Sequence, residues 1–444
     1  MGPRTTAVSL RALVLAAAVP ILFLHVRYQP GLALRAGSTT VDAYLSDWAV
    51  LAVVVAAAAT GVRAGFAPLR RARLLWGTAI AFFVWVFLEV GYGRVHEASY
   101  PWQTHGVTAL KFLEYALLAP AVVLIVRTLA DLLLVLWALA LWSAAATVVG
   151  IAQFFGAALF LSGTVGRRQA SFLSSADFAA LSAGTLVVGI VALSVPRARL
   201  GRTLGVVAAA SGALGMIAAG AIASVLGLVT ALAALAVVLV IRRELSTRRA
   251  AVAAGVALVV VAGAIAIRGS DLDAFARFLG AKPGTEQPHA TKIQTYAHRT
   301  LLAWLGFEIW KDHPVVGVGW EGSAEPANFE PYLPAARARF PDESPDAFPS
   351  RDEHRRYGVQ NVWVQALADL GVVGLALLVA LFAAAAWTAA RPAVRLGSVP
   401  ALVGLGWIAV LVWLWTAQGF IAGIPLDALT WLGFGLGATM IGHE

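Results

Sequence analysis

Three polar residues interrupt an apolar run near the C-terminal end of the chain: Asn361, Gln365 and Asp369 in QNVWVQALADLGVVG. Their i, i+4, i+8 spacing places them on one face of a helix. Amides and a carboxyl turned toward lipid would lack hydrogen-bond partners, so the stripe must face the helix bundle or a water-filled cavity. Arg355 and Arg356 stand just before it and offer guanidinium forks suited to anionic oxygens. Other ionisable residues fall within or at the edges of apolar runs: Glu89, Lys111 with Glu114 three residues later, Asp131, and Asp177 shortly after Arg167 and Arg168. Charges inside a bilayer are costly unless paired or hydrated, which makes each a candidate for function. Each also has a structural reading. Lys111 and Glu114 suit an ion pair on one helical face, Glu89 can snorkel toward Arg94, and Asp177 can cap a helix after Ser174-Ser175. The stripe of three could equally be an interhelical hydrogen-bond seam.

The elements that must hold these groups are membrane helices. The chain has 444 residues, 60% hydrophobic and 13% charged, against about 25% charged for a soluble domain. It has no cysteine, which excludes disulfides, thiolate catalysis and Cys-ligated metal; no His/carboxylate pattern points to a metal either. The net charge of +9 sits mostly in short connectors, which reads as topology rather than as a nucleic-acid surface. Runs long enough to cross the hydrocarbon core fall near 6–26, 44–62, 74–93, 107–126, 129–152, 174–195, 203–219, 223–241, 250–267, 361–388, 399–418 and 425–442. The first looks like a signal peptide, but no small-residue cleavage pattern follows it, so it is expected to stay as a membrane helix.

The expected fold is therefore an all-α polytopic membrane protein of about twelve helices. Arginines in the connectors after the second, sixth, eighth and tenth runs predict that both termini are cytoplasmic. The polar groups other than Asp131 then converge on the outer leaflet. Residues 1–267 carry the first nine helices, 268–360 form one large extracytoplasmic loop, and 361–444 carry the last three. Within the loop, RTLLAWLGFEIWKD (299–312) has helical periodicity and predicts a short helix at the outer interface.

Two strings now carry a resemblance. KDHPVVGVGW (311–320), followed some forty residues later by QNVWVQALADLGVVG (360–374), resembles the C-terminal signature of O-antigen ligases and Wzy-type polymerases. Arg299 and Trp304 stand where that family has an arginine and a Trp-containing helix. His313, Pro314, Gly317 and Gly319 match its turn motif; Asn361, Gln365, Asp369 and Gly371 match the opening of its next membrane helix. RRQASFLSSADFAAL (167–181) resembles its segment before span six. The resemblance implies a metal-independent GT-C type glycosyltransferase without a cofactor, in a bacterial cytoplasmic membrane. Its donor would be an oligosaccharide on undecaprenyl diphosphate, met at the outer face, and its acceptor another glycan or lipid.

Such chemistry needs cations for the diphosphate and a base near the acceptor hydroxyl. Arg299 is the first candidate for the diphosphate, supported by Arg168, Arg355 and Arg356. Asn361, Gln365, His313, Lys111, Glu114 and Asp177 are candidate substrate-binding residues. Two departures stand out. The family histidine before Asn is Gln360 here, and the family arginine between spans seven and eight is replaced within AIASVLG (221–227), where Ser224-Val225 stand. His354, Asp369 and Glu114 are the candidate replacement bases, while His313 fits a turn. Ligase and polymerase stay open, as do a catalytically silent glycan-lipid-binding protein and a small-anion transporter of the same superfamily.

Overall fold

The computed structural model describes residues 9–36, 39–161, 167–195, 200–278, 295–341, 343–352, 355–420 and 424–441. The helices in chain order are α1 (Leu10–Leu22), α2 (Leu45–Ala64), α3 (Arg73–His96), α4 (Trp102–Ala116), α5 (Leu118–Ile125) and α6 (Leu129–Phe154). Then come α7 (Ser175–Ser194), α8 (Arg202–Ala219), α9 (Ile222–Ile241), α10 (Thr247–Phe278) and α11 (Thr295–Asp312). The chain closes with α12 (Pro326–Phe329), α13 (Leu333–Arg339), α14 (Val362–Leu396), α15 (Val399–Leu414) and α16 (Ile424–Ala438). Among the described residues ten candidate spans are long and apolar enough to cross a membrane, α4 and α5 forming one of them, and α1 and α16 are shorter apolar helices. The polytopic helical fold is thus as the apolar runs predict.

Three features depart from that reading. Between α1 and α2 the chain forms an antiparallel hairpin of β1 (Gly31–Ala36) and β2 (Thr39–Tyr44). Leu32 and Leu34 stay exposed there, so the hairpin adds little apolar burial and its alternation is weak. Helix α10 does not stop at 267 but runs unbroken to Phe278, carrying Arg268 on a helix rather than in a loop. Helix α11 does not lie with a bare apolar side at the interface. Leu301, Leu302, Leu305 and Ile309 are buried against Phe329, Leu333, Ala336 and Phe348 in a small core of their own. The loop therefore covers its own helix with α12, α13 and neighbouring turns, because four large apolar side chains in one stripe stabilise most when buried against protein.

The caps follow from the sequence. Thr128 and Asp131 form a capping box on α6, and Asp131 also accepts from the Ser9 hydroxyl at 2.7 Å. That is a structural use for this carboxyl. Ser174 caps α7 by accepting from the Asp177 N–H, and its hydroxyl donates back to Asp177 Oδ2 at 2.7 Å. Helix α7 is buried along most of its length, which makes it the central helix and its first turn a fixed floor.

Helix α14 is broken at Gly371, whose φ of 68° and ψ of −171° are open in practice only to glycine. A regular helix would pair the carbonyls of Ala368, Asp369 and Leu370 with N–H groups four residues on. Instead Val318 N–H bonds Ala368, Gly319 N–H bonds Asp369, and the Trp85 indole bonds Leu370. In return Val372 N–H bonds the Pro314 carbonyl at 2.9 Å. HPVVGVGW is thus a splice for the broken span. A Cβ at Gly371 would lie 2.0 Å from the Val315 carbonyl oxygen, and one at Gly317 would lie 2.4 Å from the Asp369 backbone. The motif read as a turn is a backbone brace, and His313 starts it: its carbonyl accepts from Gly317 N–H at 3.1 Å while its side chain is exposed.

Candidate functional site

A cavity of about 360 Å³ opens where α7, α9, α10, α11, α14 and α15 meet. Three guanidinium groups face it: Arg168, Arg268 and Arg299. Each is placed by a different device. Arg168 lies in the segment before α7, which Gln153 clamps by accepting from Ser171 N–H at 2.8 Å and donating to the Ser171 carbonyl at 3.2 Å. Its guanidinium donates to the Ser175 hydroxyl and to the Ala219 carbonyl. Arg268 extends from α10, 3% exposed, paired with Asp271 at 3.1 Å and lying over the Tyr296 ring at 4.9 Å. Arg299 belongs to α11, where Tyr296, Arg299, Thr300 and Ala303 line the cavity as i, i+3, i+4, i+7. Its Nε donates to Gln360 Oε1 at 3.3 Å.

Gly220 makes the convergence of Arg168 and Arg268 possible. It ends α8 in the left-handed conformation (φ 58°), and a Cβ there would stand 3.3 Å from Arg168 Cγ and 3.6 Å from Arg268 Cδ. Residues 221–223, which follow it, line the cavity without a basic side chain. The arginine expected between spans seven and eight is absent, and Arg268 brings a guanidinium to the same turn from the next helix. Among the described residues Arg168 and Arg299 pair with no carboxylate. Burial, then the neighbouring Arg268 and Arg299, pull Arg168 down to about 10, and burial lowers Arg299 as well. Both stay cationic at neutral pH. Like charges gathered in a partly desolvated space repel, and an anion would relieve that repulsion. The opposite wall is apolar, built from Ile222, Leu226, Trp413, Leu414 and Leu426.

Asn361 and Gln360 also line this cavity. Asn361 caps α14, its Oδ1 accepting from the N–H groups of Trp363 and Val364 at 3.1 and 3.2 Å. The polar stripe below it divides its work. Gln365 Oε1 accepts from Phe420 N–H at 2.7 Å, so its amide nitrogen is turned to donate to Glu321 Oε1 at 3.4 Å. Asp369, fully buried, accepts from Ser323 N–H at 2.8 Å, and its other oxygen has no hydrogen-bond partner among the described residues. Glu89 is buried within electrostatic reach of Asp369. Glu325 completes the group, bound to His105 at 3.1 Å and to Arg356 at 3.9 Å. An acidic cluster thus lies farther along α14 than the cavity-lining Asn361, with Gln365 joining Glu321 to the Phe420 backbone.

Glu321 is the cluster member that lies in the loop and is half-buried. Its backbone is left-handed (φ 61°), a strained state for a residue with a Cβ. Burial, together with Asp369, pushes its carboxyl up to about 8. Sequence reasoning missed Glu321, Arg268 and Tyr296. The signals were the Glu directly after GVGW, and the charge that closes the apolar run of α10.

The remaining candidates lie elsewhere. Lys111 pairs with Asp47 of α2 at 2.8 Å and donates to the Asp42 carbonyl, so its partner is across the bundle rather than Glu114 one turn on. Glu114 lies in the same group, near Asp47 and Lys111. Asp177 follows Ala176, a cavity-lining residue, but its side chain is engaged in the α7 cap. Arg355 is held by Asp346 at 2.8 Å, and Arg356 turns to Glu325. His354 lies outside the described residues. No cluster of three or more His, Asp or Glu side chains placed to hold a metal ion occurs among the described residues.

Residues 205–379 match the profile of a family described as O-antigen ligase. No curated protein matches the chain. The matched segment runs from α8 to the middle of α14 and so contains Arg268, Arg299, the 314–319 brace, Glu321 and the polar stripe. The segment that carries Arg268, Arg299 and the polar stripe is thus similar to an O-antigen ligase domain, set within a multi-pass membrane protein.

Proposed function

We propose that the protein transfers a glycan from a polyprenyl-diphosphate carrier, undecaprenyl diphosphate in a bacterial membrane, to an acceptor hydroxyl at the outer membrane face. The observation that carries this reading is the convergence of Arg168, Arg268 and Arg299 on one cavity with an apolar wall. Guanidinium forks match the oxygens of a diphosphate, and Ile222, Leu226 and Trp413 suit the first isoprenoid units. The acceptor oxygen attacks the anomeric carbon as the bond from that carbon to the diphosphate oxygen breaks. The arginines stabilise the negative charge that develops on the leaving diphosphate.

The acceptor proton needs a base, and glutamine at position 360 cannot serve. Glu321 is the group that fits best: its partner Gln365 stands one helical turn beyond the cavity-lining Asn361, and a carboxyl near 8 is a strong enough base to take a proton near neutral pH. Asp369 then acts through Glu321, because its nearby carboxyl adds to burial in holding the proton affinity of Glu321 up. The test is transfer from purified undecaprenyl-diphosphate oligosaccharide by the protein in detergent, with lipid diphosphate measured as product. Diphosphate released in step with glycan transfer supports the reading; donor that binds and is never consumed would refute it.

A further inference from the structure

A second cavity lies at the other end of the same helices. The first half of α9 faces the arginine cavity, whereas Leu235, Ala236 and Leu239 in its second half line a separate space of about 290 Å³. Helix α10 repeats the division in reverse: Arg268 and Phe275 reach the first cavity, and Ala250 and Ala253 line the second. Its walls are apolar side chains from α7, α9, α10 and α15. Small residues face each other where α9 meets α10, so the two helices leave a gap instead of interlocking. The space is partly open to its surroundings, and its apolar walls are better covered by hydrocarbon than by water.

One end of the space is polar. Arg249 and Ser246 line it with Ser194, and Arg249 donates to the Ser194 carbonyl at 3.3 Å. Among the described residues Arg249 has no carboxylate partner. Arg202, Arg243 and Arg248 are exposed at this end of the bundle, and Glu244 is bound to Arg242 at 2.9 Å. A dry slot at membrane depth, closed by a cation with spare donors, is complementary to one kind of molecule: an acyl chain carrying a phosphate. We infer that this cavity is a binding site for an anionic phospholipid, with one acyl chain between α9 and α10 and its phosphate on Arg249. Basic pockets between membrane helices take such headgroups. The site is separate from the arginine cavity and does not rest on the reaction proposed there.

The test is native mass spectrometry of the detergent-purified protein titrated with dioleoylphosphatidylglycerol or dioleoylphosphatidylcholine. Phosphatidylglycerol is expected to bind about fivefold more tightly than phosphatidylcholine, the preference of roughly one added cation contact. Arg249→Gln should erase that preference while phosphatidylcholine binding stays. Ala253→Trp, which fills the slot, should abolish binding of both lipids; thermal unfolding at the wild-type temperature confirms that the variant is folded. Equal binding of the two lipids to the wild type, or retained phosphatidylglycerol binding in a folded Ala253→Trp protein, would overturn the inference.

Discussion

Two charged regions meet at the head of α14, and they are built on opposite plans. In the acidic cluster most groups have an assigned partner: Ser323 N–H for Asp369, Gln365 for Glu321, His105 for Glu325. In the basic cavity the guanidiniums turn toward open space, and among the described residues Asp271 is the carboxylate paired with them. A buried charge is stable when it is paired or bound by hydrogen bonds. Arginines gathered with a single acid beside them suit a ligand that arrives later, whereas the acidic cluster surrounds Glu321, whose proton affinity burial and Asp369 hold high. On the proposed reading the basic cavity receives the donor and the acidic cluster supports Glu321.

That contrast can be broken at several points. The largest effect is expected at Arg299. Arg299→Ala should lower the transfer rate by about 10²–10³-fold, the usual consequence of losing one charge-stabilising donor, with an unfolding temperature close to wild type. Unchanged transfer would remove Arg299 from the reaction. Glu321→Gln should come next, with a loss of about 10²-fold. Its pH profile is the sharper measurement. The folded carboxyl near 8 exceeds its ordinary value of 4.5, so wild-type transfer should rise as pH passes through about 8, and the variant should lose that rise.

Stability carries the opposite sign. The folded state binds the Glu321 proton more tightly than the unfolded chain, so this contribution is complete below about 4.5 and is lost as pH rises through about 8. Wild-type protein should therefore lose thermal stability across that window relative to Glu321→Gln. Gly220→Val should have a smaller effect, about tenfold on transfer, since its side chain would press Arg168 and Arg268 apart and strain a left-handed position. A rise in KM larger than the fall in kcat would locate the fault in donor binding. The smallest effect belongs to Arg356→Gln. Its contact to Glu325 is 3.9 Å long and exposed on the arginine side, and such pairs contribute about 0–1 kcal/mol. A change in transfer beyond about threefold would give Arg356 a larger role than the structure assigns.

The apolar helices were legible because length and hydropathy settle a membrane span without knowledge of its neighbours. Caps such as Ser174 with Asp177 were equally legible, since both partners are local. Arg268 was hidden because a hydropathy reading ends a span at its first charge, while the backbone of α10 continues helical through it. Lys111 was assigned the wrong neighbour for a related reason. Spacing within one helix suggests Glu114, but Asp47 is brought closer by packing between α2 and α4. The stripe of Asn361, Gln365 and Asp369 does run down one face as the periodicity requires. Its division between cap, bridge and acid cluster depends on Phe420, Glu321 and Ser323, which come from distant parts of the chain.

The break at Gly371 has a consequence for how the chain is made. The carbonyls of Ala368, Asp369 and Leu370 are completed by Val318, Gly319 and Trp85, all of which lie earlier in the sequence. Unsatisfied backbone groups cannot rest in lipid, so the first turns of α14 cannot settle alone. Synthesis from the N-terminus delivers the brace before the helix that needs it. The order of the segments along the chain thus lets the broken span enter a membrane where its missing partners are already waiting.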